Sequence, residues 1–155
     1  MVDEIAAAGI SVCPTMNVHA LTMRDRFGDA LDKVIMGLYS GSGQIIAGTD
    51  CGVDNCPHGA YAPGLEALAM VGRPAAEILE AATLRAARAL GVEDQTGTIE
   101  PGKDADLIAV RGDPRSDLSV LHHVELVVAR GTEHRPAPHQ VRAGALAAPA
   151  GPGPR

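Results

Sequence analysis

The sequence predicts an α/β protein in which strands alternate with helices and a small separate sheet follows. Three observations predict it. Short β-leaning runs, "ISVCPT" and "QIIAGTD", stand beside stretches with helical spacing. The second of these runs, apolar enough for burial, ends on a carboxylate, Asp50. Two more strand-like runs, "ADLIAV" and "VELVVARG", cluster after the last helix.

In chain order, "VDEIAAAG" is a short helical pattern with Gly9 suited to its end, and "ISVCPT" is a strand closed by Pro14. Phe27, Leu31, Val34, Ile35 and Leu38 recur every three or four residues, one face of a helix. The "GSG" of residues 41–43 is a turn; it is too short for a phosphate loop and lacks the lysine of one. After Asp50, "CGVDNCPHGAYAPG" is crowded with Gly, Pro, Asn and Asp, a loop long enough to carry function. "LEALAMV" predicts a short helix. "PAAEILEAATLRAARAL" predicts a longer one, with Pro74 at its start, an apolar row at Leu79, Ala82, Ala86 and Leu90, and Gly91 as its stop. Pro101 and Gly102 fit the centre of a type II turn before a strand at 105–110. From Thr132 onward, proline, alanine and glycine without periodicity predict a disordered tail over 132–155.

Composition narrows the function classes. Thirteen basic against nineteen acidic residues give a net charge of −6, and with no basic stripe or aromatic stacking platform this argues against nucleic acid. With one Phe, two Tyr and no Trp, the core must be filled by Ala, Leu, Ile and Val, which makes a small isolated domain marginal. Three cysteines, an odd number, with no leader pattern before them fit a reducing cytoplasm. No apolar run approaches the roughly 18 residues of a membrane span, so no membrane role is expected.

In parallel α/β folds the loops at the carboxyl ends of strands carry the site, and Asp50 lies at such an end. By itself a strand-end aspartate also serves as a helix cap or turn former. The flanking residues add to this. "AGTDCG", then "HG", the "AAT–L–AA–ALG" spacing of residues 81–91 and "GTIEPGKDADLIAV" at 97–110 together resemble the C-terminal part of the amidohydrolase superfamily. The resemblance is particularly to its imidazolonepropionase-like and Xaa-Pro-dipeptidase-like members, and it runs from about Ile5 to Gly131.

The resemblance implies the C-terminal fragment of a (β/α)₈ barrel, about two βα units, over residues 1–92, and strands of a small β-sandwich over 93–131. "ISVCPT" would be barrel strand seven and "QIIAGTD" strand eight. Asp50 would be the metal-binding and catalytic aspartate that takes a proton from a metal-bound water attacking the substrate carbonyl. A divalent metal, zinc by this resemblance, can lower the pKa of bound water from 15.7 to about 7. His58 would be a substrate-side hydrogen-bond donor, and the substrate a small amide, cyclic amide or dipeptide cleaved at a C–N bond. The family's His-x-His on strand one, the lysine of strand four and the histidines of strands five and six have no counterpart here. One aspartate falls short of the roughly three protein ligands of a catalytic zinc, so the chain is expected to be inactive alone. A truncated gene, a fragment of a longer frame and half of a split enzyme all fit this. So does a non-catalytic piece that completes a barrel with a separate N-terminal chain or as a homo-oligomer, because two strands leave an open edge.

Other candidates have plainer readings. Cys51, Asp54, Cys56 and His58 could form a freestanding soft-metal module, but the second pair that zinc modules use is missing, and two ordinary thiols in a loop are the simpler reading. His19, beyond the strand expected at 10–15, could contact substrate at the site end, but a solvated loop is the plainer reading; His122 and His123 are expected on the surface. Asp104 and Asp106 flank a turn, where hydrogen bonding to backbone amides is expected of one of them.

Overall fold

The computed structural model describes residues 2–17, 44–54 and 56–135, with the isolated positions 28, 30, 33 and 37. The chain is α/β. A helix α1 (Val2–Ala7) leads to β1 (Ser11–Val12), which pairs in parallel with β2 (Gln44–Ile45), in the register Ser11 to Gln44 and Val12 to Ile45. The predicted face of Phe27, Leu31, Val34, Ile35 and Leu38 lies outside the described residues, as do His19, the 41–43 turn and residues 136–155. Parallel strands need a crossover of a dozen or more residues, and residues 13–43 supply one in which Ala30, Lys33 and Gly37 are helical.

Helix α2 spans Tyr61–Ala69, starting earlier than "LEALAMV" predicts. Pro63 belongs to its first turn, where a missing N–H costs nothing because those amides have no partner within the helix. The loop after Asp50 therefore closes at Ala60 rather than Gly64. The single helix expected over 74–90 is two, α3 (Ala75–Ala82) and α4 (Leu84–Leu90). Thr83 breaks it: its backbone sits at φ −128°, ψ −95°, and its hydroxyl donates to the Leu79 carbonyl at 2.7 Å. Threonine bonding back to residue i−4 competes with the helix ladder. The break also displaces the predicted apolar row: Ile78, Ala81 and Ala87 are buried, whereas Leu90 is 73% exposed. Gly91 ends α4 in a left-handed conformation, as its place in the sequence predicts.

Ile45, Leu65, Leu68, Val71, Ile78, Met16, Ala67 and Leu118 form one core that joins β2, α2, α3 and a short 3₁₀ helix, η1 (Leu118–His122). Burying one Leu or Ile side chain contributes roughly 1.5–3 kcal/mol. Gly64 is what allows α2 to sit this close, because a Cβ there would stand 2.4 Å from Thr49 Cγ2 and 2.6 Å from the Met16 carbonyl oxygen.

Pro101 and Gly102 form the predicted turn, with Gly102 at φ 93° and the Lys103 amide donating to the Glu100 carbonyl. Beyond it, β3 (Leu107–Val110), β4 (Val124–Ala129) and β5 (Thr132–His134) make an antiparallel sheet in that order. A register shift lies between Ala109 and Val110. Residues 132–134, expected in the disordered tail, are instead its third strand. Arg130 and Gly131, at φ 48° and 76°, form the tight turn that folds them back on β4. Asp106 holds that turn by accepting the Arg130 amide at 2.7 Å, the backbone role expected of one member of its pair.

Candidate functional site

The two parallel strands end side by side, and their exits are tied together. The Ile46 amide donates to the Val12 carbonyl at 3.0 Å and the Ala47 amide to the Ala81 carbonyl of α3 at 2.9 Å, so the segment after β2 is clamped on both sides. Gly48 then passes Cys13 so closely that a Cβ would lie 2.6 Å from its sulfur. Thr49 turns inward and is buried, and its carbonyl accepts the Asn17 side-chain amide at 2.8 Å. That bond joins the two strand-end loops.

Asp50 follows and is exposed, with its backbone at φ 52°. Left-handed conformations are open to few side chains, and aspartate is among them because its short polar group can bond locally. Thr15, at the matching exit of β1, has φ 49°, where a β-branched residue is strained. Strained backbone concentrates at functional sites. The residue is thus exposed next to backbone that hydrogen bonds tie to β1, α3 and Asn17.

The next residues fold into a compact turn. The Gly52 amide donates to the Cys56 carbonyl at 2.8 Å and the Cys56 amide to the Val53 carbonyl at 3.0 Å. His58 is exposed and its ring lies back over Gly52: a Cβ on that glycine would be 3.2 Å from both Cε1 and Nε2. Asp50 and His58 therefore belong to one folded loop. Cys51 Sγ lies 2.8 Å from Thr49 Oγ1 and 3.4 Å from Cys56 Sγ. Tyr61 opens α2 beside Cys13; burial, then the charge of that cysteine, pushes its phenol above the usual range.

The metal donor set can be tested directly. Among the described residues no three or more His, Cys, Asp or Glu side chains are grouped so as to hold an ion. A catalytic zinc takes about three protein ligands, so these residues do not make a metal site by themselves. The loop of Cys51, Asp54, Cys56 and His58 is no exception. Elsewhere, His122 is exposed and meets Glu66 at 3.2 Å, and His123 is exposed at the end of η1. Asp117 caps η1 by accepting the Ser119 amide at 2.9 Å, and bonds to Ser119 hold its carboxyl below the usual range. Asn17, Thr49 and Tyr61 were not singled out by sequence reasoning. The adjacency of Thr49 to Asp50 was the one available signal.

A profile of the Amidohydrolase family matches residues 2–133, and the chain belongs to that family. An uncharacterized protein of Mycobacterium tuberculosis is 35% identical over 127 residues, which cover 79% of this chain and 31% of that protein. The imidazolonepropionase of Thermoplasma acidophilum is 38% identical over 60 residues, 37% of this chain and 15% of that enzyme. Among solved structures, a Xaa-Pro dipeptidase with methionine bound in its active site superposes with a TM-score of 0.76 at 28% identity, covering 87% of this chain and 37% of the dipeptidase. An amidohydrolase from Thermotoga maritima gives 0.63 at 26% identity, over 87% and 34% of the two chains. The chain spans about a third of the length of the first of these relatives, 31%. No helix among the described residues is long and apolar enough to cross a membrane.

Proposed function

We propose that this chain is the C-terminal part of a cytoplasmic amidohydrolase that cleaves a C–N bond, in an amide, cyclic amide or dipeptide, by attack of water. The observation that carries the reading is Asp50, exposed at φ 52° in the segment that leaves the parallel strand β2, where Ile46 and Ala47 are hydrogen-bonded to Val12 and Ala81. In this reading β1 and β2 are two strands of a (β/α)₈ barrel, residues 1–92 its last units, and β3–β5 part of a small sandwich. Asp50 supplies one carboxylate to a site for a divalent metal, zinc, and accepts a proton from the attacking water. His58 donates a hydrogen bond to the substrate. The remaining metal ligands come from outside this chain, so the chain alone is inactive. The names of the dipeptidase and imidazolonepropionase relatives support the substrate class.

The test is metal content and hydrolysis, alone and with the N-terminal two-thirds of a relative such as the dipeptidase supplied as a separate polypeptide. Zinc absent after dialysis and no dipeptide cleavage are expected of the chain alone; both should appear in the mixture. Asp50→Asn in that mixture should lower turnover about 10²–10⁴-fold, the range of a lost acid–base group. Its stability should stay within about 0.5 kcal/mol, since the side chain is exposed and asparagine also tolerates this φ. Stoichiometric zinc with hydrolysis by the isolated chain would overturn the reading.

A second reading is favoured by the two-stranded sheet, in which each of β1 and β2 pairs with only the other among the described strands. Such edges invite another chain. A non-catalytic half that completes a barrel with a separate polypeptide, or with copies of itself, would co-purify with its partner; activity in the mixture that survives Asp50→Asn would favour it.

A further inference from the structure

We propose that Cys51 and Cys56 form a reversible thiol-modification site, a dithiol that a small-molecule disulfide oxidises to an intramolecular disulfide. The inference stands on thiol geometry and does not depend on a hydrolytic role for Asp50. The two sulfurs face each other at 3.4 Å. A disulfide requires about 2.05 Å, so closure needs a movement of little more than an ångström. The backbone that carries them is already folded for it: the Gly52 amide bonds the Cys56 carbonyl at 2.8 Å, the Cys56 amide bonds the Val53 carbonyl at 3.0 Å, and Val53 and Cys56 form an antiparallel bridge.

Access sets the order of events. Cys56 is fully buried, whereas Cys51 is half-buried and meets the oxidant first. Its sulfur attacks one sulfur of the disulfide RSSR, forming a Cys51–SR mixed disulfide and releasing one RSH. The Cys56 sulfur then attacks Cys51 Sγ, the Cys51–SR bond breaks, and a second RSH leaves. Two protons and two electrons pass from the cysteine pair to the oxidant, and a dithiol reductant returns them.

Closure has a local consequence. Cys51 Sγ now lies 2.8 Å from the hydroxyl of buried Thr49, and it would leave that contact to reach Cys56. Thr49 and Cys51 flank Asp50, so the oxidation state of the pair acts on the backbone that presents the carboxylate.

The test is to incubate the native full chain with oxidised glutathione, alkylate, digest with trypsin and weigh the peptides. Residues 34–85 emerge as one peptide holding Cys51 and Cys56 without Cys13, because the Arg73–Pro74 bond resists trypsin. The expected product carries no alkyl group and is lighter by two hydrogens than the dithiol peptide; dithiothreitol restores both alkylation sites. Cys56→Ser should instead keep one glutathionyl group on Cys51, and Cys13→Ser should close as the natural chain does. A natural chain that keeps two alkyl groups, holds a stable glutathionyl group, or links through Cys13 or between molecules would overturn the proposal. Those masses come from the unsubstituted protein, so the outcome does not rest on the folding of any variant.

Discussion

The α/β end and the three-stranded sheet share one chain and are built to different standards. Around β2 the core is closed on several sides: Ile45 and Ile78 are fully buried, Leu68 nearly so, and Leu118 of η1 belongs to the same cluster. The β3–β4–β5 sheet leaves apolar side chains in solvent, with Ile108 at 57% exposure and Leu107 at 37%, and Ile99 before it at 86%. Among the described residues no side chain of this sheet is fully buried, so it contributes hydrogen bonds and less burial than the core around β2. The difference locates the stability of the chain around the segment that presents Asp50.

Three substitutions sharpen that contrast. Ile78→Ala should destabilise the chain most, by about 2–5 kcal/mol, because it empties a fully buried site between α3 and its neighbours; urea unfolding reads it. Gly64→Ala should cost about 1–3 kcal/mol, since the new methyl group meets a carbonyl oxygen that belongs to the backbone and cannot swing aside. It should also loosen the Asn17–Thr49 tie, visible as faster amide hydrogen exchange around residue 49. Ile108→Ser should change stability least, by within about 0.5 kcal/mol, and should lower any self-association measured by ultracentrifugation. An effect of Ile108→Ser as large as that of Ile78→Ala would erase the distinction between the two regions.

Much of the fold was legible because it rests on local chemistry. Gly91 as a helix end and Pro101–Gly102 as a turn follow from the backbone freedom of those residues alone. The Thr83 break was hidden: threonine at that place continues the helical pattern, and its non-helical backbone and hydroxyl bond to Leu79 show the ladder giving way. The β5 strand was hidden for a different reason. Its turn is Arg130–Gly131 rather than the Asn-Gly or Asp-Gly that signals such hairpins, and the device that holds it, Asp106, lies just before β3, 24 residues away in the chain.

For the loop after β2 the division is the same. By itself the sequence determined a strand-length apolar run ending in a carboxylate, followed by a Gly- and Pro-rich loop with two cysteines and a histidine, because hydrophobic alternation and turn chemistry are properties of neighbours in the chain. Only the tertiary structure decided which way each group faces. Thr49 is held inward by Asn17 from the other strand, Asp50 is turned out in consequence, the His58 ring rests on Gly52, and two thiols five positions apart stand 3.4 Å from each other. Those placements depend on contacts between segments distant along the chain and on the closing of one tight turn, which no periodicity encodes.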